Sequence, residues 1–318
     1  MQNKLKFKNA LLITDSDLDG SSCRLLFERF VEDDNYKLYQ STANEVAEFT
    51  RRVFSEAYDL VGFADLGPTP EFVSSIVKHK PVHIWDHHPT TKEKIDTLGN
   101  PAGLNYNYDV GRCSAKLVFD FFDDPADKNV TPVCREFVRL VDVYDRYLED
   151  HPDFDLARGI SNLLFWYIRE SRFKGQQGYT RFIDNQSKKM DLWSKFGFLD
   201  FEEEVVQKEY QREKEAVEKA LNTVVIREDA EGLKYGYFEL PSKISYSCSE
   251  VLKKMPELNY VVCHSTYKSD GDRCSFRAKK MDVSVKASQY GGGGHKFASG
   301  AALPKEIREG IKAGTFIL

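Results

Sequence analysis

From residue 9 to residue 86 the chain alternates short apolar runs with longer amphipathic stretches. "NALLIT", "YKLYQST", "YDLVGFAD" and "PVHIWD" are each too short for a helix and rich in β-branched or aromatic residues, so they predict strands. Between them, residues 20–30, "NEVAEFTRRVFSEA" and "PEFVSSIVKH" place apolar residues at helical spacing. Strand–helix alternation of this kind predicts a doubly wound parallel sheet with helices on both faces. A helical region is expected from Arg112 to Tyr167. "FLDFEEEVVQKEYQREKEAVEKALNTV" has no Gly or Pro and predicts a long charged connecting helix. Beyond it, "YGYFEL", "NYVVCH" and "RCSFRAK" predict strands around the helices "ISYSCSEVLKKM" and "VSVKASQY". The expected organisation is therefore an α/β domain over residues 1–190, a helical linker over 191–222, and a smaller α/β domain over 223–318.

Polar residues gather at the ends of the predicted strands. "LLITDSDLDG" places Asp15, Asp17 and Asp19 directly after the first strand, "FAD" ends at Asp65, and "IWDHH" ends at Asp86, His87 and His88. A lone Asp there is ordinary turn or capping chemistry. Three strands delivering carboxylate and imidazole to one sheet edge are hard to attribute to capping, because α/β sheets build their sites at that edge. Such acids repel unless cations sit among them. This donor set suits Mn²⁺ or a similar ion, and more than four ligands suggests two ions clamping a phosphoryl group.

Composition narrows the partners. Over 318 residues the net charge is −5 and hydrophobic residues make up 41%, enough for packed cores. An acidic chain is a poor match for non-specific coating of long nucleic acid, which depends on phosphate neutralisation. No apolar run approaches the length that spans a bilayer, and the N-terminal run is too short for a signal segment. The six cysteines form no C-x-x-C pair and fit reduced thiols in a cytoplasmic protein.

"TDSDLDG", "ADLG", "WDHHPT" and the distant "GGGGHKFASG" resemble the DHH phosphoesterase superfamily with its DHHA1 domain. "SDLDG", "YDVGRCSAKLVFDF" and "LVDVYDRYLED" resemble, in the same order, segments of the nano-RNase B type oligoribonucleases. The resemblance implies a first metal on Asp15, Asp17 and Asp65, and a second on Asp19, Asp65, His87 and Asp145, with Asp65 shared. Asp145 is favoured over Asp142 because "YDRY" is similar to the family's Tyr-Asp-x-Trp. His88 would contact the scissile phosphate and Asp86 would orient a neighbouring group. In the C-terminal domain the resemblance assigns substrate binding to Ser275, Arg277, Gly292, Gly293, Gly294 and His295. By composition, residues 290–300 would be a loop. Arg112 and Ser114 open a predicted helix that is either an anion site or an ordinary cap with a surface Arg.

The implied activity is metal-dependent release of mononucleotides from short single-stranded oligoribonucleotides, with two divalent ions, Mn²⁺ or alternatively Mg²⁺. Short RNA or DNA oligonucleotides and dinucleotides are the implied partners, and a homodimer is compatible. Two other readings stay open. One is hydrolysis of another small phosphorylated substrate, such as a cyclic or linear dinucleotide, a nucleoside 3′,5′-bisphosphate or polyphosphate. The other is nucleotide sequestration without cutting. The chain departs from the family at Asp15, where the family usually has His, and this keeps the last reading open.

Overall fold

The computed structural model describes residues 10–31, 36–40, 58, 60–124, 127–170, 176–267 and 271–318. The predicted helix "NEVAEFTRRVFSEA" lies outside the described residues. The chain divides into two compact units, residues up to Val206 and from Gln207 onward.

Among its described residues the first unit holds five parallel strands in the order β2-β1-β3-β4-β5: β1 Ala10–Thr14, β2 Tyr36–Gln40, β3 Leu60–Ala64, β4 Val82–Asp86 and β5 Leu104–Tyr108. Every residue of β1, β3 and β4 is buried, which explains why these strands read as unbroken apolar runs instead of alternating ones. One face packs Leu11, Ile13, Val61, Phe63, Val82 and Ile84 against Phe72, Val73 and Ile76 of helix α2, Pro70–Val77. Leu12 and Trp85 belong to the other face, where Gly62 lets them close in. A Cβ at Gly62 would lie 3.0 Å from Leu12 and 3.1 Å from Trp85. Strand β5 was not expected from the sequence. "LNYNY" is only partly buried at the sheet's edge, and its alternating Asn and Tyr mask the pattern.

The remaining helices of this unit are α1 Leu18–Phe30, α3 Pro89–Asp96, α4 Ser114–Phe122, α5 Pro132–Asp145, α6 Phe154–Arg169 and α7 Gln176–Leu192. Helices α4 to α6 resolve the single helical region expected between residues 112 and 167. Helix α8, Asp200–Thr223, runs across the division between the units.

The second unit has six strands in the order β10-β11-β9-β8-β7-β6: β6 Val225–Glu228, β7 Lys234–Leu240, β8 Tyr260–Ser265, β9 Arg273–Ala278, β10 Gly293–His295 and β11 Ala298–Ala302. Its helices are α9 Ile244–Lys254, α10 Ser284–Ser288 and α11 Lys305–Ala313. Among the described residues of this unit, only β7 and β8 pair in parallel. The segment expected as a loop is instead a hairpin of β10 and β11, turning at Lys296 and Phe297. The glycines that suggested a loop serve close packing. A Cβ at Gly292 would lie 2.0 Å from the Gly300 carbonyl oxygen, and Gly294 has φ +139.

Candidate metal centre

The strand order decides where the acids meet. From β1 the chain steps outward to β2, then returns past β1 to β3 and β4. The C-terminal ends of β1 and β3 therefore flank the switch point of the sheet, where doubly wound folds open a crevice. Asp15 and Asp17 follow β1, Asp65 follows β3, Asp86 ends β4, and His87 and His88 come directly after it.

Local geometry holds each group. Asp17 caps α1, its Oδ1 accepting from the Gly20 amide at 3.0 Å. Gly20 is required there, because a Cβ would lie 2.2 Å from the Asp15 carbonyl oxygen. The Asp15 carboxylate turns back to the Ser16 amide at 2.5 Å. Asp65 has φ 58, a left-handed conformation that Asp tolerates better than most residues, and its amide donates to the Trp85 carbonyl at 2.9 Å. Asp19, fully buried in the first turn of α1, accepts from the Ser114 and Ala115 amides, each at 2.7 Å.

The centre of the cluster is His87. Its Nε2 lies 3.4 Å from Asp145 Oδ2, 3.5 Å from Asp65 Oδ1 and 3.9 Å from Asp19 Oδ2. Donor atoms of Asp19, Asp65 and His87 all fall within 4.8 Å of one another, as do those of Asp65, Asp86 and His88. Asp145 Oδ2 is buried and accepts no hydrogen bond from the described residues. A buried carboxylate oxygen without a donor is costly, and a cation among these oxygens would satisfy it. Oxygen donors with one imidazole also fit a hard or borderline divalent ion. By these tests the residues fit divalent metal.

Asp145, rather than Asp142, faces this cluster. Asp142 Oδ1 accepts from the Cys113 amide at 2.7 Å, and Oδ2 lies 3.3 Å from Arg146. It is thus a tether for the entry to α4. His88 stands beside the cluster, with Nδ1 2.7 Å from Asp86 Oδ1 and 3.9 Å from Asp65 Oδ1.

Titration reflects crowding. Burial, reinforced by neighbouring carboxylates, pushes Asp15 up to about 6, Asp19 up to about 7 and Asp145 up to about 8, and holds Asp65 well above the usual carboxylate range. Burial pushes His87 down. Burial also works against protonation of His88, but the bond and charge of Asp86 outweigh it and raise His88 to about 9. A group whose pKa rises on folding stabilises the fold below its unfolded pKa and loses that contribution as pH climbs through the folded value. The melting temperature of the metal-free chain is therefore expected to fall as pH rises from the ordinary carboxylate value of 3.8 to about 8, the window set by Asp15, Asp19 and Asp145. Differential scanning fluorimetry across that range checks this, and saturating divalent metal should flatten the slope.

The other predicted residues fall in two places. Arg112, half-exposed, lies 3.0 Å from both Asp109 and Asp120. The anion that α4's N-terminus holds is Asp19 of this same chain. In the second unit, pairing puts His295, Ala298 and Arg277 in one row across β10, β11 and β9, and Gly293, Gly300 and Ser275 in the row two residues along. Cross-strand partners share a face, so Ser275, Arg277 and His295 stand on the same side of the sheet with only Ala298 and Gly300 between them. Arg277 donates to the Phe276 and Ser299 carbonyls at 2.9 and 3.2 Å and to Ser245 Oγ at 3.2 Å.

Two contacts of the first unit escaped the sequence reading. Ser114 Oγ donates to Asp65 Oδ1 at 3.3 Å. Tyr179, on α7, lies beside Ser16, next to Asp15 and Asp17. Ser114 stood at a readable helix start, but nothing in the sequence ties Tyr179 to residues so distant in the chain.

No protein-family model matches the chain. The chain is 24% identical to oligoribonuclease NrnB of Bacillus subtilis (strain 168), over 96% of this chain and 75% of that protein. Among solved structures it superposes on the DHH domain of a member of a family of ribosomal proteins, with TM-score 0.57, 12% identity, 97% of this chain and 85% of that one. An exonuclease RecJ bound to manganese gives TM-score 0.55, 15% identity, 97% of this chain and 89% of that one. The pGpG-specific phosphodiesterase PggH from Vibrio cholerae gives 0.52, 14%, 96% and 97%. The resemblance to DHH proteins read in the motifs thus extends to the fold of nearly the whole chain.

Proposed function

We propose that this chain, whose fold is that of the DHH proteins, is a divalent-metal-dependent phosphodiesterase that releases mononucleotides from short single-stranded oligoribonucleotides. The observation that carries the reading is the convergence of Asp19, Asp65 and Asp145 on His87, with Asp145 Oδ2 buried and without a hydrogen-bond donor among the described residues. The sequence likeness to an oligoribonuclease and the structural likeness to a pGpG phosphodiesterase and a nuclease support the substrate class.

Asp15, Asp17 and Asp65 would hold one cation, and Asp19, Asp65, His87 and Asp145 a second. Bound there, Mn²⁺ or Mg²⁺ would polarise the phosphoryl oxygens and stabilise the charge that develops on them. The chain supplies the rest. Asp86 holds the His88 ring through Nδ1 and favours its cationic form. A cationic ring beside Asp65 is suited to donate a hydrogen bond to a phosphoryl oxygen.

In the second unit, the face bearing Ser275, Arg277 and His295 would bind substrate, its small Ala298 and Gly300 leaving room for close approach. The Arg277 fork would grip a phosphate. Arg277→Ala is accordingly expected to raise KM with little change in kcat, a loss of about 1.5–3 kcal/mol for one charged hydrogen bond. Steady-state kinetics on a trinucleotide check this, and a kcat defect at unchanged KM would remove Arg277 from substrate binding.

Turnover of a panel of RNAs of two to five nucleotides, with and without Mn²⁺, tests the whole reading. Metal-dependent release of mononucleotides supports it. Cleavage confined to a dinucleotide would move the substrate class. Binding without cleavage would make the chain a sequestering protein.

A further inference from the structure

Asp15, Asp17, Asp19, Asp65 and Asp145 crowd this centre, and Asp19 and Asp65 are both almost fully buried. In the described structure the start of α4 offsets part of this charge. Three successive amides there are each taken by a carboxylate: Cys113 by Asp142, then Ser114 and Ala115 by the two oxygens of Asp19, all at 2.7 Å. The helix end carries partial positive charge, so these bonds offset part of the repulsion. They also fix the plane of the Asp19 carboxylate, while lone pairs remain on both oxygens for a cation. Ser114, itself fully buried, adds a side-chain bond to Asp65 Oδ1, the same oxygen that lies 3.5 Å from His87. One residue thus touches two acids, one from the first turn of α1 and one from the end of β3.

We propose that Ser114 is a positioning residue of the metal centre: its hydroxyl orients the Asp65 carboxylate while its backbone amide anchors Asp19. The inference rests on the divalent-metal reading of the site. Groups that orient metal ligands typically change affinity by about 10- to 100-fold when removed. Ser114→Ala deletes the hydroxyl and leaves the amide, so its effect reports on Asp65 alone. Mn²⁺ titration calorimetry of the full chain is expected to show affinity weakened about tenfold in Ser114→Ala. Ser22→Ala is the control. It removes another fully buried hydroxyl, one bonded to the Leu18 carbonyl, and should leave Mn²⁺ affinity at the wild-type value.

A merely structural hydroxyl would behave differently, lowering the melting temperature of the metal-free chain with Mn²⁺ affinity intact. That result, or a Ser114→Ala chain that binds Mn²⁺ as tightly as wild type, overturns the proposal and leaves the metal reading standing. A wild-type chain that binds no Mn²⁺ overturns both. Should Ser114→Ala not fold, Ser114→Cys serves in its place, since the thiol keeps the volume but donates only weakly. Weakened Mn²⁺ binding supports the proposal, and wild-type binding overturns it.

Discussion

Exhaustive chelation is expected to abolish hydrolysis, and Asp65→Asn to reproduce that loss in the presence of saturating Mn²⁺. Asp65 is the largest lever because both proposed cation sites share it. Its Oδ1 lies 3.5 Å from His87 and accepts from Ser114, and its backbone is locked to Trp85. The amide of Asn fills the same space but carries no charge. A cation supplies several kcal/mol of transition-state stabilisation, and a loss of about 4 kcal/mol corresponds to about 10³ in rate. Stability should move the other way. Asp65 is driven toward its neutral form by burial and by Asp19, Asp17, Asp145 and Asp15, so a neutral isostere removes repulsion from the metal-free fold. Rate assays paired with melting curves check both halves. Undiminished turnover after EDTA treatment would rule out the metal mechanism, and wild-type turnover in Asp65→Asn would rule out the shared ligand.

The second large effect is expected at Asp15, where the family resemblance leads one to expect His. Asp15 is half-buried, its carboxylate turned to the Ser16 amide and its pKa raised to about 6 by burial and by Asp17. As a ligand it adds a negative charge and a hard oxygen where an imidazole would be neutral and softer. Asp15→His should therefore keep hydrolysis and shift preference from Mg²⁺ toward Mn²⁺. Asp15→Ala should lose the first cation and most of the turnover while the metal-free chain melts no lower, since one of several repelling charges is gone. Parallel Mn²⁺ and Mg²⁺ titrations with rate measurements decide it. If Asp15→Ala keeps the wild-type rate and metal affinity, Asp15 is a turn residue and the first cation leans on other groups.

Much of this protein is determined by sequence alone. The apolar runs of β1, β3 and β4 dictate buried parallel strands, because a strand covered on both faces needs no polar alternation. Acids and histidines placed directly after those runs then lie at one sheet edge. The Gly after Asp19 was readable as a helix start, although its reason, contact with the Asp15 backbone, is a matter of three dimensions.

Other features were settled only by tertiary contact. Edge strand β5 owes its structure to pairing with β4, and the Gly-rich hairpin to the close passage of β10 and β11, so neither shows in local pattern. Asp142 and Asp145 are chemically identical and share a helix; packing against the entry to α4 takes one as a tether and leaves the other at His87. Arg112, an anion-site candidate by position, is bound to surface carboxylates, while Asp19 occupies the helix end it would have served. Sequence thus supplies the kinds of donor and the edge they reach. Which oxygen meets which nitrogen depends on long-range packing, because a ligand's place is set to within about an ångström and no local propensity reaches that far.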